Sequence, residues 1–438
     1  MQPIPPSQDP FYTATDDFKS TAPGTILRIR QAPGNLTAIT GTNGSAAYDI
    51  LYRTTDSRYN ASYAVTTVFI PSVSLSSPSS SSSSGADPGG NISAAAALLS
   101  YQIPYDSASL DASPSYALYG PDGASWIQDI ATALSLGWFV NVPDYEGPLA
   151  SYGAGVQAGH ATIDSIRAIL NANGTHFAQQ QHRHHRYDAL NLSALASFLP
   201  VDTRIAMWGY SGGALASEWA AELQSSYAPE IHFDGAALGG LTPNVTSTLS
   251  SLLLNDTTDA GLIPSVLMGI SSQYPELRQF LVSKLKTEGP YNVTGFLAAA
   301  NMTNLQAIVT YAFQNITDYF VDGMEDLLSP LVRKIAANEI QMGYHGIPQM
   351  PIYAYKAIQD EISVVEDTDV LIDRFCAVEA NILYERNTIG GHVADLINGK
   401  PSALQFLHDI FGRTNTTGFP SSGCVVRDVT VNITDSAM

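Results

Sequence analysis

The residues most able to do chemistry lie at 209–213, where the sequence GYSGG places Ser211 between glycines. This G-x-S-x-G pattern is short and arises often by chance, so its surroundings decide what it means. The apolar segment RIAMW precedes it, and the small-residue segment GALASEWAAEL follows it. That order predicts a strand, a tight turn at Ser211 and a helix, with glycines where strand and helix approach closely. The alternative is a glycine-rich turn in which the hydroxyl only caps a helix.

A serine hydroxyl becomes a nucleophile when an imidazole accepts its proton and a carboxylate orients that imidazole. In this strand–turn–helix context the acid and the histidine follow the serine, in that order. Four histidines follow Ser211. His232 lies in EIHFDGAALGG, which we predict to be the next strand, and leaves no room for an acid before it. His345 precedes the strand expected to carry the acid, and His408 falls in the helical segment ALQFLHDIFG. His392 is the predicted base because it lies in a glycine-flanked loop directly after the strand ANILYER.

The predicted acid follows the segment PIYAYKAIQ, which reads as a strand ending near Asp360 and Glu361. One helix and one strand then lead to the loop of His392. The ends of successive strands are neighbours in a parallel sheet, so Asp360 can meet the imidazole. Glu361 is the second candidate, and a solvated pair of turn residues is the alternative without a catalytic role.

The oxygen of an attacked carbonyl needs hydrogen-bond donors as its negative charge develops. The N–H group of Gly212, at the start of the helix after the serine, is one predicted donor. The second donor is expected from the loop after an earlier strand, LLSYQI. Asp106 and Ser107 follow that strand directly, and no local feature distinguishes between them.

Strands and helices must bring these side chains to one edge of the molecule. Three antiparallel strands are predicted in GTILRIRQ, AAYDILYRTT and AVTTVFIP. Apolar strands then alternate with helical periods near 124–136 and 155–171, which predicts an α/β fold with a mostly parallel sheet. Residues 244–335 read instead as apolar helices without clear strands between them, and we expect an inserted helical cap. The core then comprises residues 1–243 and 336–438.

Two polar insertions interrupt the alternation. Residues 72–93, which include a run of serines, and residues 174–190 are too polar to be buried, so we expect flexible surface loops. The second insertion contains four histidines: His176, His182, His184 and His185. Histidines are common metal ligands, but neither cysteines nor paired carboxylates lie nearby. We therefore predict solvated histidines and neither a metal nor a cofactor.

The balance of charge limits the class of partner. The chain has 40 acidic and 20 basic residues and a formal charge of −20. Such a surface disfavours nucleic acids and anionic lipids, which leaves neutral substrates. No run approaches 18 consecutive apolar residues, so no membrane-spanning segment is predicted. We expect a monomer.

Glycosylation sequons are abundant and predict secretion. Of the asparagines, 13 lie in N-x-[ST] with x other than proline. A random chain would place only about an eighth of its asparagines in this way. The 13 are Asn35, Asn43, Asn60, Asn91, Asn173, Asn191, Asn244, Asn255, Asn292, Asn301, Asn315, Asn415 and Asn432. In an oxidising compartment the two cysteines, Cys376 and Cys424, are expected to be bonded. The first residues lack an apolar segment, so we expect that a signal peptide has been removed.

Over nearly its whole length the sequence resembles the fungal secretory lipase family. The likeness includes, in the same order, DPFYT, YRTT, TTVFIP, GYSGG, SSYAPEI, AIQDEI and ANILYE. The resemblance implies an α/β-hydrolase fold in which the helical insertion at 244–335 is a lid over the active site. It also implies a disulfide between Cys376 and Cys424.

The resemblance further implies roles for individual residues. Ser211 matches the nucleophile, Asp360 the acid and His392 the base. Gly212 matches the backbone donor to the oxyanion, and Asp106 in YDSAS matches the second contributor.

We therefore predict a secreted lipase that hydrolyses triacylglycerol and other carboxylic esters through an acyl-enzyme. Its substrate is a lipid or a small ester, including one presented at an oil–water interface. The alternatives within enzymes are a short- to medium-chain esterase, an acyltransferase and a serine peptidase. From another class, the chain could be a catalytically inactive hydrolase fold that only binds ligands. Such proteins have usually lost a member of the triad, whereas all three residue types are present here.

Overall fold

A ten-stranded sheet runs through the centre of the molecule. The computed structural model describes residues 2–72, 96–172, 202–254 and 258–432. The strands of this part of the chain are β1 (Ile26–Gln31), β2 (Gly44–Thr55), β3 (Ala61–Pro71), β4 (Ala97–Gln102), β5 (Phe139–Pro143), β6 (Arg204–Tyr210), β7 (Gly235–Gly239), β8 (Ile352–Ala357), β9 (Ile382–Asn387) and β10 (Cys424–Val429).

The sheet changes from antiparallel to parallel at β5. Its order is β1-β2-β3-β5-β4-β6-β7-β8-β9-β10. The pairs from β1 to β5 are antiparallel, and every pair from β5 to β10 is parallel. The central strands are buried along almost their whole length, as expected where helices cover both faces. The predicted α/β class with a mostly parallel sheet is therefore confirmed.

Helices fill most of the connections between the strands. In chain order the described α-helices are α1 (Leu36–Ile39), α2 (Pro114–Ala117), α3 (Ala124–Ser135), α4 (Gly155–Asn171), α5 (Gly212–Tyr227), α6 (Val245–Leu254), α7 (Leu262–Gln273), α8 (Pro275–Lys284), α9 (Val293–Leu297), α10 (Asn304–Tyr311), α11 (Met324–Leu327), α12 (Pro330–Glu339), α13 (Val365–Cys376), α14 (His392–Asn398) and α15 (Lys400–Gly412). Among the helices described, none has the length and apolar character needed to cross a bilayer.

Two hydrophobic cores lie on opposite faces of the sheet. Helices α4, α5 and α13 contribute to one core, and α3 and α15 contribute to the other. Helices α4 and α5 approach closely at Gly155, where an added Cβ atom would lie 2.1 Å from the ring of Trp219. Trp219 is fully buried on α5. This packing fixes the helix that begins directly after Ser211.

The chain between β7 and β8 forms helices α6 to α12. Within its described residues the pairing is limited to two isolated bridges, Asn244 with Gln341 and Leu285 with Phe320. Large side chains of this segment, such as Phe296 and Phe320, are fully buried, so the helices have their own apolar packing. The segment matches the helical run expected at 244–335, while the division of the chain into a core and a cap stays a prediction.

The carboxyl-terminal part contains a strand that the sequence pattern does not predict. Strand β10 pairs in parallel with β9 at the edge of the sheet. Its side chains are mostly exposed, so it lacks the apolar alternation that marks a strand in a sequence. The predicted disulfide between Cys376 and Cys424 is present and joins the end of α13 to the start of β10.

Other sequence predictions differ from the structure or fall outside it. His232 lies before β7 rather than in it, because the strand begins only after Asp234, whose side chain accepts a hydrogen bond from the N–H of Ile205. The insertions predicted at 72–93 and 174–190 lie outside the described residues, apart from Ser72, which directly follows β3. The same is true of the four histidines of the second insertion and of Asn91, Asn173, Asn191 and Asn255.

Candidate active site

Ser211 occupies a strained turn between β6 and α5. Its backbone has φ 52° and ψ −122°, a conformation that residues with a side chain rarely adopt. The neighbouring positions leave no room for side chains. A Cβ atom at Gly209 would lie 2.2 Å from the carbonyl oxygen of Gly213, and one at Gly213 would lie 1.9 Å from that of Gln102. The glycines of GYSGG are therefore required by the close approach of strand, turn and helix.

A continuous chain of hydrogen bonds joins Ser211, His392 and Asp360. The distance from Ser211 Oγ to His392 Nε2 is 2.9 Å. The distance from His392 Nδ1 to Asp360 Oδ2 is 2.7 Å. Because an ionised carboxylate only accepts hydrogen bonds, Nδ1 carries the proton and Nε2 is free to accept the one from Ser211. The serine, acid and histidine named from the sequence thus meet at one point.

Hydrogen bonds hold both main-chain polar groups of His392. His392 is the first residue of α14, and its N–H group donates to Glu361 Oε2 at 2.7 Å. Its carbonyl oxygen accepts a hydrogen bond of 2.6 Å from the hydroxyl of Tyr210. Glu361, the second candidate for the acid, therefore contacts the main chain of the histidine, whereas Asp360 contacts its ring.

Asp360 lies in the turn after β8 and receives four hydrogen bonds. Its Oδ1 atom accepts from the N–H groups of Ile362 and Ser363, at 2.9 Å and 2.8 Å. Its Oδ2 atom accepts from His392 and from the buried ammonium of Lys356 at 2.8 Å. Burial alone would raise the pKa of Asp360, but the bonds from His392 and Lys356 hold it well below its usual range. The carboxyl group is therefore ionised wherever the protein is folded near neutral pH.

Asp106 lies against the start of α5, next to Ser211. Its backbone has a positive φ of 43°, and a Cβ atom at Gly212 would lie 1.9 Å from Asp106 Oδ1. Burial raises the pKa of Asp106 to about 7, and the nearby His392 opposes this only in part. Ser107 points elsewhere, because its hydroxyl donates to the carbonyl oxygen of Met302 at 2.8 Å. Of the two candidates for the second oxyanion donor, Asp106 and Ser107, it is therefore Asp106 whose side chain lies against Gly212.

Two cavities adjoin the site. A small one of about 40 Å³ opens at Ser211, Gly212 and Asp106 and is otherwise lined mainly by apolar side chains of α5, α6 and α7. A larger one of about 310 Å³ lies among α6, α7, α11 and α12 and is also mainly apolar. Leu249 on α6 lines both cavities. The surroundings of the serine therefore suit an uncharged, apolar group.

The remaining histidines after Ser211 take no part in this arrangement. His232 and His408 are exposed. The ring of His345 packs on Trp219, with 4.3 Å between ring centroids. In the part of the chain that the structure describes, no cluster of His, Cys, Asp and Glu could hold a metal ion.

A sequence model of the secretory lipase family matches residues 127–183 and 188–418, more than half of the chain. The chain belongs to the secretory lipase family. The matched residues include Ser211, Asp360 and His392. Membership confirms the resemblance drawn from the short motifs.

Individual members of the secretory lipase family align with almost the whole chain. Trichothecene C-3 esterase of Fusarium sporotrichioides is 44% identical over 436 residues, which cover 99% of this chain and 90% of that protein. Lipase A of Arthroderma benhamiae is 34% identical and covers 93% of this chain and 80% of its own. Both names denote enzymes that act on carboxylic esters. This secretory lipase family member is accordingly a carboxylic ester hydrolase.

Solved structures agree with this family membership. Candida antarctica lipase A in its closed state superposes with a TM-score of 0.77 at 26% sequence identity. The match covers 100% of this chain and 94% of that chain. The α/β-hydrolase fold expected from the resemblance is therefore confirmed.

Two residues of the site were not found from the sequence. Lys356 lies within the apolar strand β8, where a single lysine gives no sign that it is buried beside an acid. Tyr210 lies inside the motif itself, but its bond to His392 spans 182 positions of sequence.

Proposed function

We propose that Ser211, His392 and Asp360 are the catalytic triad of this ester hydrolase. The observation that carries the proposal is the unbroken hydrogen-bond chain from the serine hydroxyl through the imidazole to the carboxylate. The strained turn at Ser211 supports it, because it presents the hydroxyl at the start of a helix. An inactive binding protein would have no need to keep all three groups in this geometry.

The reaction follows from the positions of these groups. His392 Nε2 accepts the proton of Ser211 as Oγ attacks the ester carbonyl carbon. The imidazolium is stabilised by Asp360 and then gives its proton to the alcohol oxygen, which leaves. The acyl group remains on Ser211. Water attacks it while His392 accepts a proton from that water, and the carboxylic acid departs as the serine recovers its proton.

Gly212 and Asp106 would stabilise the oxyanion. The N–H of Gly212 is at the first position of α5, where it has no partner within the helix. Asp106 Oδ1 is buried without a hydrogen-bond partner beside Ser211, which suits a group that awaits a ligand. Only the protonated acid can donate a hydrogen bond. A pKa of about 7 keeps much of Asp106 in that form in acidic and neutral solution.

Helices α6 to α12, which begin in the proposed cap at 244–335 and end at Glu339, would decide which esters reach the serine. Side chains of α6 and α7 form the apolar wall of the cavity at Ser211. That cavity, of about 40 Å³, has room for a short acyl group. A longer chain would have to enter the larger cavity beyond Leu249. We regard these helices as a lid over the site.

The substrate we favour is a short-chain ester of a bulky alcohol. The small cavity supports a short acyl group, and the relative with 44% identity is a trichothecene C-3 esterase. An ester at the C-3 position of a trichothecene is therefore the first compound to test. Triacylglycerol is the second candidate, supported by relatives that are named lipases.

The test of the triad is the substitution Ser211→Ala. It should abolish hydrolysis of a chromogenic ester and labelling by a fluorophosphonate, because it removes the hydroxyl proposed to take the acyl or phosphonyl group. The thermal unfolding transition should stay in place, which shows that the fold is intact. Undiminished turnover by the folded variant would refute the assignment. Comparing a trichothecene C-3 ester with tributyrin and triolein on the unaltered enzyme then ranks the substrates.

We further propose that the protein is a secreted glycoprotein. The family is named for secretion, and the chain holds a disulfide. None of the sequon asparagines in the described residues is buried. Six are exposed, namely Asn35, Asn60, Asn301, Asn315, Asn415 and Asn432, and three are partly exposed, namely Asn43, Asn244 and Asn292. A loss of mass on treatment with an N-glycosidase would test their occupancy.

A further inference from the structure

A buried lysine lies beside the proposed triad without a part in the steps above. Lys356 is the penultimate residue of β8, and its side chain has 0% exposure. Its Nζ atom donates to Asp360 Oδ2 at 2.8 Å and to the carbonyl oxygen of Leu241 at 2.9 Å. Burying an ammonium is costly unless a carboxylate compensates it. Here the compensating carboxylate is that of the triad itself.

One oxygen of Asp360 bonds to both Lys356 and His392, and both are cations once His392 accepts the proton of Ser211. Asp360 Oδ2 accepts from Lys356 and also from His392 Nδ1, at 2.7 Å. The other oxygen is occupied by the N–H groups of Ile362 and Ser363. With four donors the carboxylate has no free acceptor site and cannot turn away from the imidazole. Its negative charge is shared between the lysine and the histidine.

We propose that Lys356 positions Asp360 and offsets part of its charge, so that His392 remains an unprotonated base in more acidic solution than an unpaired carboxylate would allow. The inference rests on the triad proposed above. A carboxylate favours the imidazolium form of a neighbouring histidine, and a nearby ammonium disfavours it. The weaker attraction to Asp360 and the direct repulsion by Lys356 both disfavour the imidazolium form of His392.

Other titratable groups face this cluster from the elements packed around it. They are Asp106 after β4, Tyr210 on β6, Glu361 after β8, Asp367 on α13, Tyr384 on β9 and Asp395 on α14. All are acids, so Lys356 is the cation among them. Burial lowers the pKa of Lys356, while Asp360 and then Asp395 oppose that shift. Substitution of Lys356 therefore removes the positive charge that offsets the carboxylate facing His392.

Three variants separate charge from orientation. Lys356→Gln keeps an N–H donor but no charge, Lys356→Met has neither, and Lys356→Arg keeps both. We expect the acidic limb of kcat/KM against pH to move up by roughly 1 to 2 pH units in the Gln and Met variants and to stay in place in the Arg variant. The plateau of kcat/KM should fall further in the Met variant than in the Gln variant, because Asp360 is then held less firmly.

The matched control is Lys400→Gln, which removes another lysine that bonds an aspartate, Asp129, outside the triad. Its acidic limb should coincide with that of the unaltered enzyme. An unchanged limb in folded Lys356→Gln and Lys356→Met would overturn the proposal. A limb that moves only in the Met variant would overturn the role of charge and leave that of a hydrogen-bond donor.

A second measurement uses the protein with Lys356 intact and does not require that its variants fold. The chain has six lysines, so the Nζ resonances of protein labelled with ¹⁵N-lysine can be resolved. The proposal requires Lys356 to give an ammonium signal at the pH of the activity assay, and an amine signal would overturn it. The same spectrum can be recorded on Ser211→Ala. Failure of the inference is thereby distinguished from failure of the triad, which shows itself as undiminished turnover by that variant.

Discussion

At the scale of single residues, two residues of the site have unusual backbone conformations. Ser211 and Asp106 both have a positive φ, and they lie on either side of Gly212. Neither is a glycine, so each conformation costs free energy that the surrounding packing must supply. The strain at Ser211 presents its hydroxyl. The strain at Asp106 presses a carboxyl group against the helix start, where an oxyanion would form.

Substitution of Asp106 should change the basic limb of the pH profile. Burial raises the pKa of this group to about 7, so its donor proton is present below that pH and is lost as the pH rises through it. Asp106→Asn keeps an N–H donor at every pH, and its kcat/KM should stay level where that of the unaltered enzyme declines. Asp106→Ala should lose about 10²- to 10³-fold in kcat/KM below a pH of about 7, as expected for a missing oxyanion donor, and progressively less above that pH, where the unaltered enzyme has lost the same donor.

The control for this prediction is Ser107→Ala. The hydroxyl of Ser107 bonds to Met302, so its removal should leave the shape of the pH profile unchanged. Steady-state kinetics between about pH 5 and 9 provide the measurement. A basic limb that persists unaltered in Asp106→Asn would exclude this residue as the titrating donor.

At the scale of elements, α6 separates the cavity at the serine from the larger cavity behind it. Leu249 lines both, so its side chain is part of the wall between them. On the proposal above, the small cavity would hold a short acyl group, and the larger cavity has the volume for a longer one. We therefore expect the acyl-chain preference to depend on α6 and its packing rather than on the triad.

Leu249→Ala should join the two cavities and shift the preference towards longer acyl chains. We expect the ratio of kcat/KM for an octanoyl ester to that for an acetyl ester to rise by about 10-fold, the scale that a few methylene contacts provide. A series of p-nitrophenyl esters gives the measurement. Val309→Ala is the control, since Val309 on α10 is 71% exposed and lines neither cavity. An unchanged chain-length profile in the folded Leu249 variant would contradict this account.

The elements also show what a sequence can and cannot predict. Helix α4 spans Gly155–Asn171, as its helical period predicted, although almost all of its residues are buried rather than one face alone. Strand β10 was not predicted, because its side chains are mostly exposed and do not alternate between apolar and polar. The order of serine, acid and histidine pointed to His392 because loops follow strands in a regular way. Asp360 and Glu361 are adjacent in the sequence, and only the directions of their side chains decide their partners. Asp360 bonds to the ring of His392, whereas Glu361 bonds to its main-chain N–H group.

At the scale of the whole molecule, the protein buries many carboxyl groups. Burial raises the pKa of Asp144 and of Glu339 to about 7 and the pKa of Glu146 and Glu218 well above its usual range. Glu339 lies at the end of α12 and accepts hydrogen bonds from Tyr274 and Ser57. It thereby joins the helices between β7 and β8 to the turn between β2 and β3. These groups are accommodated most easily in their uncharged form.

Stability should therefore be greater in weakly acidic than in alkaline solution. A carboxyl group with a raised pKa binds a proton more tightly in the folded state, so stability falls as the pH rises from about 4 through 7. Asp360, whose pKa is lowered, loses its contribution only as the pH falls below about 4. We expect a melting temperature on the order of 5 °C higher at pH 5 than at pH 8.

Scanning calorimetry at constant ionic strength would measure this difference. Glu339→Gln replaces one of the titrating groups by a neutral group of similar shape, so the fall in melting temperature between pH 5 and pH 8 should be smaller in that variant. A melting temperature that stays level or rises up to pH 8 would contradict the prediction.

The disulfide has a consequence for survival among extracellular proteases. Cys376 and Cys424 are 48 positions apart, and His392 lies between them. The exposed turn after α15, around Asn415, lies inside the same covalent ring. Exposed turns of this kind are where proteases cut first. A single cut there would open the ring without releasing the residues that follow it, because the disulfide would still join β10 to the end of α13.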